Sequence, residues 1–318
     1  MQGGATLQFS ALLYNLVEDV KQSLDYVVTG AWSQKAVDEA KKLGFNPNVV
    51  LNTKATNHTG QIPCSNSWNF SAEADLKDPS FLFFCSNETI HGVEWPAESQ
   101  EPQTPYDSLK VPLVCDMSSN ILSRPVDVSK YGVIFGGAQK NIGPAGVTVV
   151  IVRQDLLDRP RAMPCPTMLD WRIMADNNSM YNTPPTWSIY MMSLVFKHVL
   201  SLGGLSTITK QNSLKAGLVY GIIDKYPTIY FCPVNKKFQS KMNIPFRILN
   251  PATNLPDDAL ETKFLVAAEE RNLVQLKGHR SVGGIRVSTY NALEVASIVI
   301  LVEFMESFAM SVLDESLI

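Results

Sequence analysis

Four continuous apolar runs of strand length constrain the fold of this chain more than any other feature: Phe81–Cys85, Val111–Cys115, Val133–Phe135 and Val147–Val152. Strands that are apolar at successive positions are buried on both faces, and such strands belong to sheets of mainly parallel order covered by helices. Helical stretches alternate with these runs. Tyr26–Val28 reads as a strand, Ser33 suits the N-cap of a following helix to about Leu43, and Gly44 ends it. The pattern predicts an α/β architecture, a large mainly parallel sheet with helices on both faces.

The last third changes character. Trp187–Leu202 and about Ser206–Lys225 read as helices separated by Gly203-Gly204. Met242–Leu249 alternates like an antiparallel strand, Asp257–Arg271 is helical in pattern, and Gly284–Thr289 is a further strand. This order predicts a small α+β domain, with a large domain over 1–210 and the small one over 211–318. The Pro-rich segment Trp95–Pro112 reads as a surface excursion between core strands. Val295–Leu313 is apolar enough to suggest a membrane span, but Glu303 and Glu306 interrupt it, which suits a terminal helix packed on the small domain.

Composition narrows the function. A net charge of -3 argues against a nucleic-acid binder, which would show a basic face. The five cysteines are scattered and form no CxxC pair, so neither a disulfide framework nor a metal site is indicated, and a reducing, cytoplasmic setting is expected.

Four local patterns can carry chemistry. Gln2-Gly3-Gly4-Ala5-Thr6 precedes a helical run and is either a phosphate cradle at a helix N-terminus or a plain glycine turn. Asp116 follows an apolar strand, where it either faces a ligand at the strand's carboxyl end or caps the next loop. Lys140 lies between glycine-rich turns in Phe135–Pro144, either as an amine able to condense with an aldehyde or as a solvent-facing loop lysine. Gly278-His279-Arg280 and Gly283-Gly284-Ile285-Arg286 combine two arginines and a histidine, suited to an anion bearing carboxylate and phosphate or to an exposed basic turn. Arg286 stands inside an alternating apolar run, where an unpaired guanidinium would be costly.

Five blocks then fall in order: Asn87–Glu94, Asp116–Ser119, Gly137–Asn141, Tyr181–Pro185 and Gly278–Arg286. Together they resemble the phosphoserine aminotransferases, a class V pyridoxal-phosphate-dependent family, and the animal form in particular. The resemblance covers essentially the whole chain. It implies the type I aminotransferase fold, a homodimer with shared active sites, and transfer of the amino group of L-glutamate to 3-phosphohydroxypyruvate. The products are O-phospho-L-serine and 2-oxoglutarate, a step of L-serine biosynthesis. By the same resemblance Lys140 matches the lysine that carries pyridoxal 5'-phosphate, Asp116 the partner of its pyridine nitrogen and Thr89 the partner of its phenolic oxygen. Trp32 matches the aromatic stacked on the ring, while Ala5, Thr6 and Gln139 match phosphate-binding positions. Asn182 and Thr183 match the pair that reaches the phosphate from the second subunit. Arg286 matches the arginine for the substrate carboxylate, and His279 and Arg280 match positions that hold the substrate phosphate.

The family also carries several tens of residues before the Gln-Gly-Gly motif, including a Met-Ser-His-Arg-Ser stretch on the substrate side. Two further readings stand beside this one. One keeps the fold and cofactor but changes the substrate, as in another transaminase or a cysteine desulfurase, and for the latter Cys232, between Phe231 and Pro233, is poorly placed. The other is a weakly active or inactive homologue that serves only as a partner subunit.

Overall fold

The computed structural model describes residues 1–71, 78–96, 102–106 and 110–315. The chain opens on helix α1 (Gly4–Leu16), then strand β1 (Leu24–Val28), helix α2 (Ala31–Lys42) and strand β2 (Pro47–Asn52). Strand β3 (Leu82–Cys85) and the short hairpin of β4 (Asn87–Glu88) and β5 (Val93–Glu94) follow. Strands β6 (Leu113–Asp116), β7 (Val133–Gly137) and β8 (Thr148–Val152) complete a six-stranded sheet of order β2-β1-β3-β6-β7-β8. All its pairings are parallel except β7–β8.

The apolar runs of the sequence are these strands. In β3 and β6 every residue is buried, as expected of strands covered on both faces. Val147–Val152 departs from that expectation. Four of the five residues of β8 are half-buried or exposed, because it lies at the edge of the sheet and runs antiparallel to β7. Its outer edge begins to be paired at Thr148, which exchanges both backbone hydrogen bonds with Met1 at 2.8 and 2.9 Å.

The Pro-rich excursion is only partly on the surface. Residues 97–101 and 107–109 lie outside those described, but Trp95 and Tyr106 are buried. The Tyr106 hydroxyl donates to Asp25, a fully buried carboxylate on β1 that also takes the Ser71 hydroxyl and the Asn48 amide. This buried carboxylate, satisfied by several donors, ties the excursion to the sheet.

Helix α3 (Trp171–Asp176) leads to α4 (Thr186–Ser201) and α5 (Gly204–Lys225), which meet at an 84° bend over Gly203 in the left-handed region. A four-stranded antiparallel sheet follows, built from β9 (Tyr230–Phe231), β10 (Asn243–Asn250), β11 (Leu255–Pro256) and β12 (Ile285–Ser288), with helices α6 (Asp258–Glu269) and α7 (Val295–Glu315). Its core is separate from the cores of the large sheet and contains Val219, Ile223, Phe246, Ile285 and Phe304. Helix α7 has the length and hydropathy of a membrane span, yet Ile298, Leu301, Phe304, Met305, Phe308 and Val312 are buried in this core.

Phe264 of α6 sits at the centre, fully buried, with its ring against those of Tyr230, Phe246, Phe304 and Phe308 at centroid distances of 4.9–6.4 Å. Removing a buried phenyl group costs about 3–5 kcal/mol, the sum of lost transfer energy and the cavity left behind. Phe264→Ala is therefore expected to lower stability by that amount in urea titration, and Phe264→Leu by clearly less. A loss below about 1 kcal/mol for the alanine variant would contradict this packing.

Candidate active site

Three adjacent parallel strands deliver the central residues. In the ladder β3–β6–β7, Cys85 lies beside Asp116 and Asp116 beside Phe135, so the chain leaves all three strands at one level. Parallel strands share a direction, and their carboxyl ends open on one crevice. Beyond β3 come Asn87, Glu88 and Thr89; β6 ends on Asp116; beyond β7 comes Lys140.

These residues meet. Lys140 Nζ donates to Thr89 Oγ1 at 2.5 Å and lies 6.0 Å from the centre of the Trp32 ring. Burial makes the Lys140 amine less basic than an ordinary lysine, the Asp116 carboxylate opposes that effect, and the Arg286 charge adds to it. Burial pushes the Asp116 carboxyl above the usual range, while the Ser118 hydroxyl and backbone donors and the Lys140 charge pull it down. Both Ser118 donors converge on Asp116 Oδ1, at 2.6 Å from the hydroxyl and 2.8 Å from the amide. Asp116 Oδ2 has no protein donor among the described residues.

Trp32 is placed by the start of α2, and here the sequence reading needs correction. The N-cap is Gly30 and not Ser33, which lies one turn inside the helix. The reason is a carboxylate from another element. Glu88, fully buried, accepts from the Trp32 amide at 3.0 Å, the Ser33 amide at 2.9 Å and the Ser33 hydroxyl at 2.5 Å. It thereby satisfies the free donors of the first turn and faces the positive end of the helix. Ser33 Oγ turns back to accept from the Thr29 and Gly30 amides. A β-carbon at Gly30 would stand 2.5 Å from the Glu88 side chain, so that close approach requires glycine.

The remaining candidates form a looser ring. Helix α1 starts after Gly3, in the left-handed region, with no side-chain cap, which leaves the first-turn amides around Ala5 and Thr6 without one. The exposed Gln139 folds its amide over Gly137. Arg286 stands on β12 opposite Pro245, half-buried, and its Nε is buried without a partner among the described residues. His279 is half-buried, with Nδ1 2.7 Å from Ser281 Oγ, and Arg280 is exposed. Asn182 and Thr183 are exposed too, and the structure does not bring them against Lys140. Asn182 instead lines a cleft of about 710 Å³ together with Gln2, Val150, Trp171 and Ile189.

Three contributors escaped the sequence reading. Glu88 directly precedes Thr89, and an acidic residue between strand-like segments is the signal that marks it. Ser118 stands in the same Asp-Met-Ser-Ser run as Asp116. His91, whose basicity burial lowers, accepts weakly from the Ala31 amide at 3.4 Å, and only its place in the Asn87–Glu94 block points to it.

Residues 1–298 match the Aminotransferase class-V family. The chain is 46% identical over 310 residues to the phosphoserine aminotransferase of Pseudomonas syringae pv. syringae, covering 97% of this chain and 79% of that protein. It is 46% identical over 308 residues to the probable phosphoserine aminotransferase of Caenorhabditis elegans, covering 97% and 78%. The solved phosphoserine aminotransferase of Bacillus circulans subsp. alkalophilus superposes with a TM-score of 0.86 at 41% identity, over 98% of this chain and 80% of that one. That of Trichomonas vaginalis, solved with pyridoxal phosphate bound, superposes with a TM-score of 0.84 at 40% identity, over 96% and 81%. The fold extends to an aspartate aminotransferase of Thermus thermophilus, at 18% identity and a TM-score of 0.74. On these matches the chain belongs to the class V aminotransferases, among the phosphoserine aminotransferases.

Proposed function

We propose that this chain transfers the amino group of L-glutamate to 3-phosphohydroxypyruvate, with pyridoxal 5'-phosphate as cofactor, yielding O-phospho-L-serine and 2-oxoglutarate. One observation carries the reading, the meeting of the Lys140 amine, the Thr89 hydroxyl and the Trp32 ring beside the buried Asp116.

The residues fit the cofactor on their own chemistry. Asp116 is a buried carboxylate with one oxygen lacking a protein donor, an arrangement that a cationic N–H partner would stabilise. Trp32 offers a flat apolar face, and the open first turn of α1 at Ala5 and Thr6, with Gln139, offers donors for a phosphate. Bound there, pyridoxal phosphate supplies an aldehyde to receive the amino group and a protonated ring that draws off the electron pair released at the substrate's α-carbon.

The protein's own groups do the rest. Lys140 would hold the cofactor, and its amine is placed to be the base for the proton on the α-carbon. Its lowered basicity brings more of the neutral amine into play near neutral pH. Asp116 keeps a proton on the ring nitrogen. Thr89 orients the Lys140 amine and meets the phenolic oxygen. Arg286, with its buried Nε unpartnered, takes the substrate carboxylate and so sets which α-carbon bond faces the ring. His279 and Arg280 hold the substrate phosphate at the rim. Asn182 and Thr183 act in the neighbouring subunit of a homodimer. In support, Met180, Tyr181, Trp187 and Tyr190 are all more than half exposed, and Ser188 and Val199 are the two buried residues of α4. All five cysteines are free thiols, which suits the reducing cytoplasm.

Borohydride reduction of the cofactor-loaded protein followed by peptide mass mapping is expected to place the phosphopyridoxyl group on Lys140. A label on another lysine, or on none, overturns the assignment. Asp116→Asn is expected to keep the cofactor and lose most turnover, since a neutral amide does not hold the ring proton. Each factor of ten in kcat corresponds to about 1.4 kcal/mol of barrier, and a charge pair in a dry site is worth at least two such factors, roughly 3 kcal/mol. Steady-state assays with glutamate and 3-phosphohydroxypyruvate measure this, and turnover equal to the parent would refute the role of Asp116.

A further inference from the structure

Three asparagines from distant parts of the chain close on one turn. After Asp116 the chain turns through Met117–Ser123, and the carbonyls of Ile121, Leu122 and Ser123 follow one another at its end. The Asn141 side chain donates to the Ile121 carbonyl at 3.0 Å, that of Asn291 to the Leu122 carbonyl at 2.9 Å, and that of Asn212 to the Ser123 carbonyl at 3.2 Å. The asparagines are also joined to one another. The Asn291 amide donates to Asn141 Oδ1 at 3.0 Å, and Asn291 Oδ1 accepts from Asn212 Nδ2 at 2.9 Å. Leu122 lies in the left-handed region with φ 58°, which a leucine seldom adopts, and its carbonyl meets Asn291 from there.

This clasp joins the two sheets. The turn follows Asp116 of β6, and Asn141 follows Lys140 beyond β7, so both belong to the large sheet. Asn291 belongs to the small one, just past the end of β12, the strand that carries Arg286. Asn141 and Asn212 are buried, so their amides depend on protein partners. The loop that carries Asn291 is held from behind as well. Lys215, one turn beyond Asn212 on α5 and 1% exposed, donates from Nζ to the carbonyls of Thr289, Tyr290 and Leu293 at 2.9–3.0 Å. Three acceptors require three N–H donors, which the ammonium has and the neutral amine lacks. A buried cation given over to backbone carbonyls costs desolvation, and what it secures is the place of one short loop.

We propose that Asn291 is a positioning residue of the transamination: it ties the loop after β12 to the turn after Asp116 and to the residue after Lys140, and so fixes the spacing between the Arg286 guanidinium and the Lys140 amine. The inference rests on the proposed function, in which Arg286 takes the substrate carboxylate and Lys140 the proton on the α-carbon. Those two groups stand on different sheets, so the approach of the α-carbon bond to the amine depends on how the sheets are joined. Apolar contact is non-directional and tolerates sliding, whereas hydrogen bonds made and accepted in fixed directions hold one register.

Two variants test this. Asn291→Ala removes the bonds to Leu122 and Asn212 and keeps the backbone amide, while Asn291→Asp keeps the shape and the acceptor for Asn212 and removes the donor to Leu122. In the full chain freed of cofactor, hydrogen exchange of the peptide spanning Asn291 is expected to quicken about tenfold in the alanine variant, because the clasp opens more often. In the loaded enzyme kcat is expected to fall about three- to tenfold in both variants, with KM for glutamate within about twofold, since both binding groups remain and only their alignment is lost. Cofactor content per chain is expected to stay at the parent's level. A kcat within about twofold of the parent in both folded variants overturns the proposal. So does a fall in kcat matched by an equal loss of bound cofactor, which is what a merely structural role produces. Activity that survives Lys140→Ala overturns instead the reading on which the proposal stands.

Discussion

The Lys140 amine and the Asp116 carboxyl reach the same crevice because β6 and β7 are neighbours in register with β3, and the same ladder puts Thr89 within 2.5 Å of the amine. Depth in the sheet is what gives these groups their chemistry. An exposed lysine is a poor base at neutral pH, and an exposed aspartate does not hold a ring nitrogen protonated against water. Burial lowers the basicity of the amine and raises the carboxyl, while their mutual attraction opposes both shifts. The strands can bear this because their other positions are wholly apolar and the cost is spread over a large core.

Glu88 extends the same logic to the wall of the site. Its carboxylate is taken out of water entirely, and the first-turn amides of α2 with the Ser33 hydroxyl replace the lost hydration. One residue thus fixes the backbone of Trp32, and the next residue, Thr89, fixes Lys140. The aromatic wall and the lysine are therefore positioned by adjacent links of one short hairpin, and a shift in one is felt by the other.

The sheet was legible in the sequence because continuous apolar runs leave little choice: Phe81–Cys85 contains β3, and Val111–Cys115 overlaps β6, which runs on to Asp116. β8 was misread as equally buried, since Val147–Val152 carries no mark of being an edge. Ser33 was misread as a cap because the true partner of the helix end, Glu88, is 55 residues away in sequence and only the fold brings it there. The same limit explains the site. Lys140, Asp116 and Arg286 were visible as odd residues in glycine-rich or apolar surroundings, whereas Glu88 and His91 act through hydrogen bonds to a helix start more than fifty residues away in sequence. Tertiary hydrogen bonds between distant segments leave no local signature.

What is left unsatisfied in the site follows from the same economy. A folded chain rarely leaves a buried donor unpaired, yet among the described residues Trp32 Nε1 and Arg286 Nε are both buried without partners, and Asp116 has an oxygen without a protein donor. These atoms come from α2, β12 and β6, elements far apart in sequence. They share one crevice through Lys140, which lies 6.0 Å from the Trp32 ring and feels the charges of both Asp116 and Arg286. Had the protein paired them internally, the chain would gain stability and lose the open atoms that the proposed function assigns to an anion and a protonated ring. The supports, Lys215 under the loop after β12 and Glu88 under α2, act elsewhere and leave those atoms open.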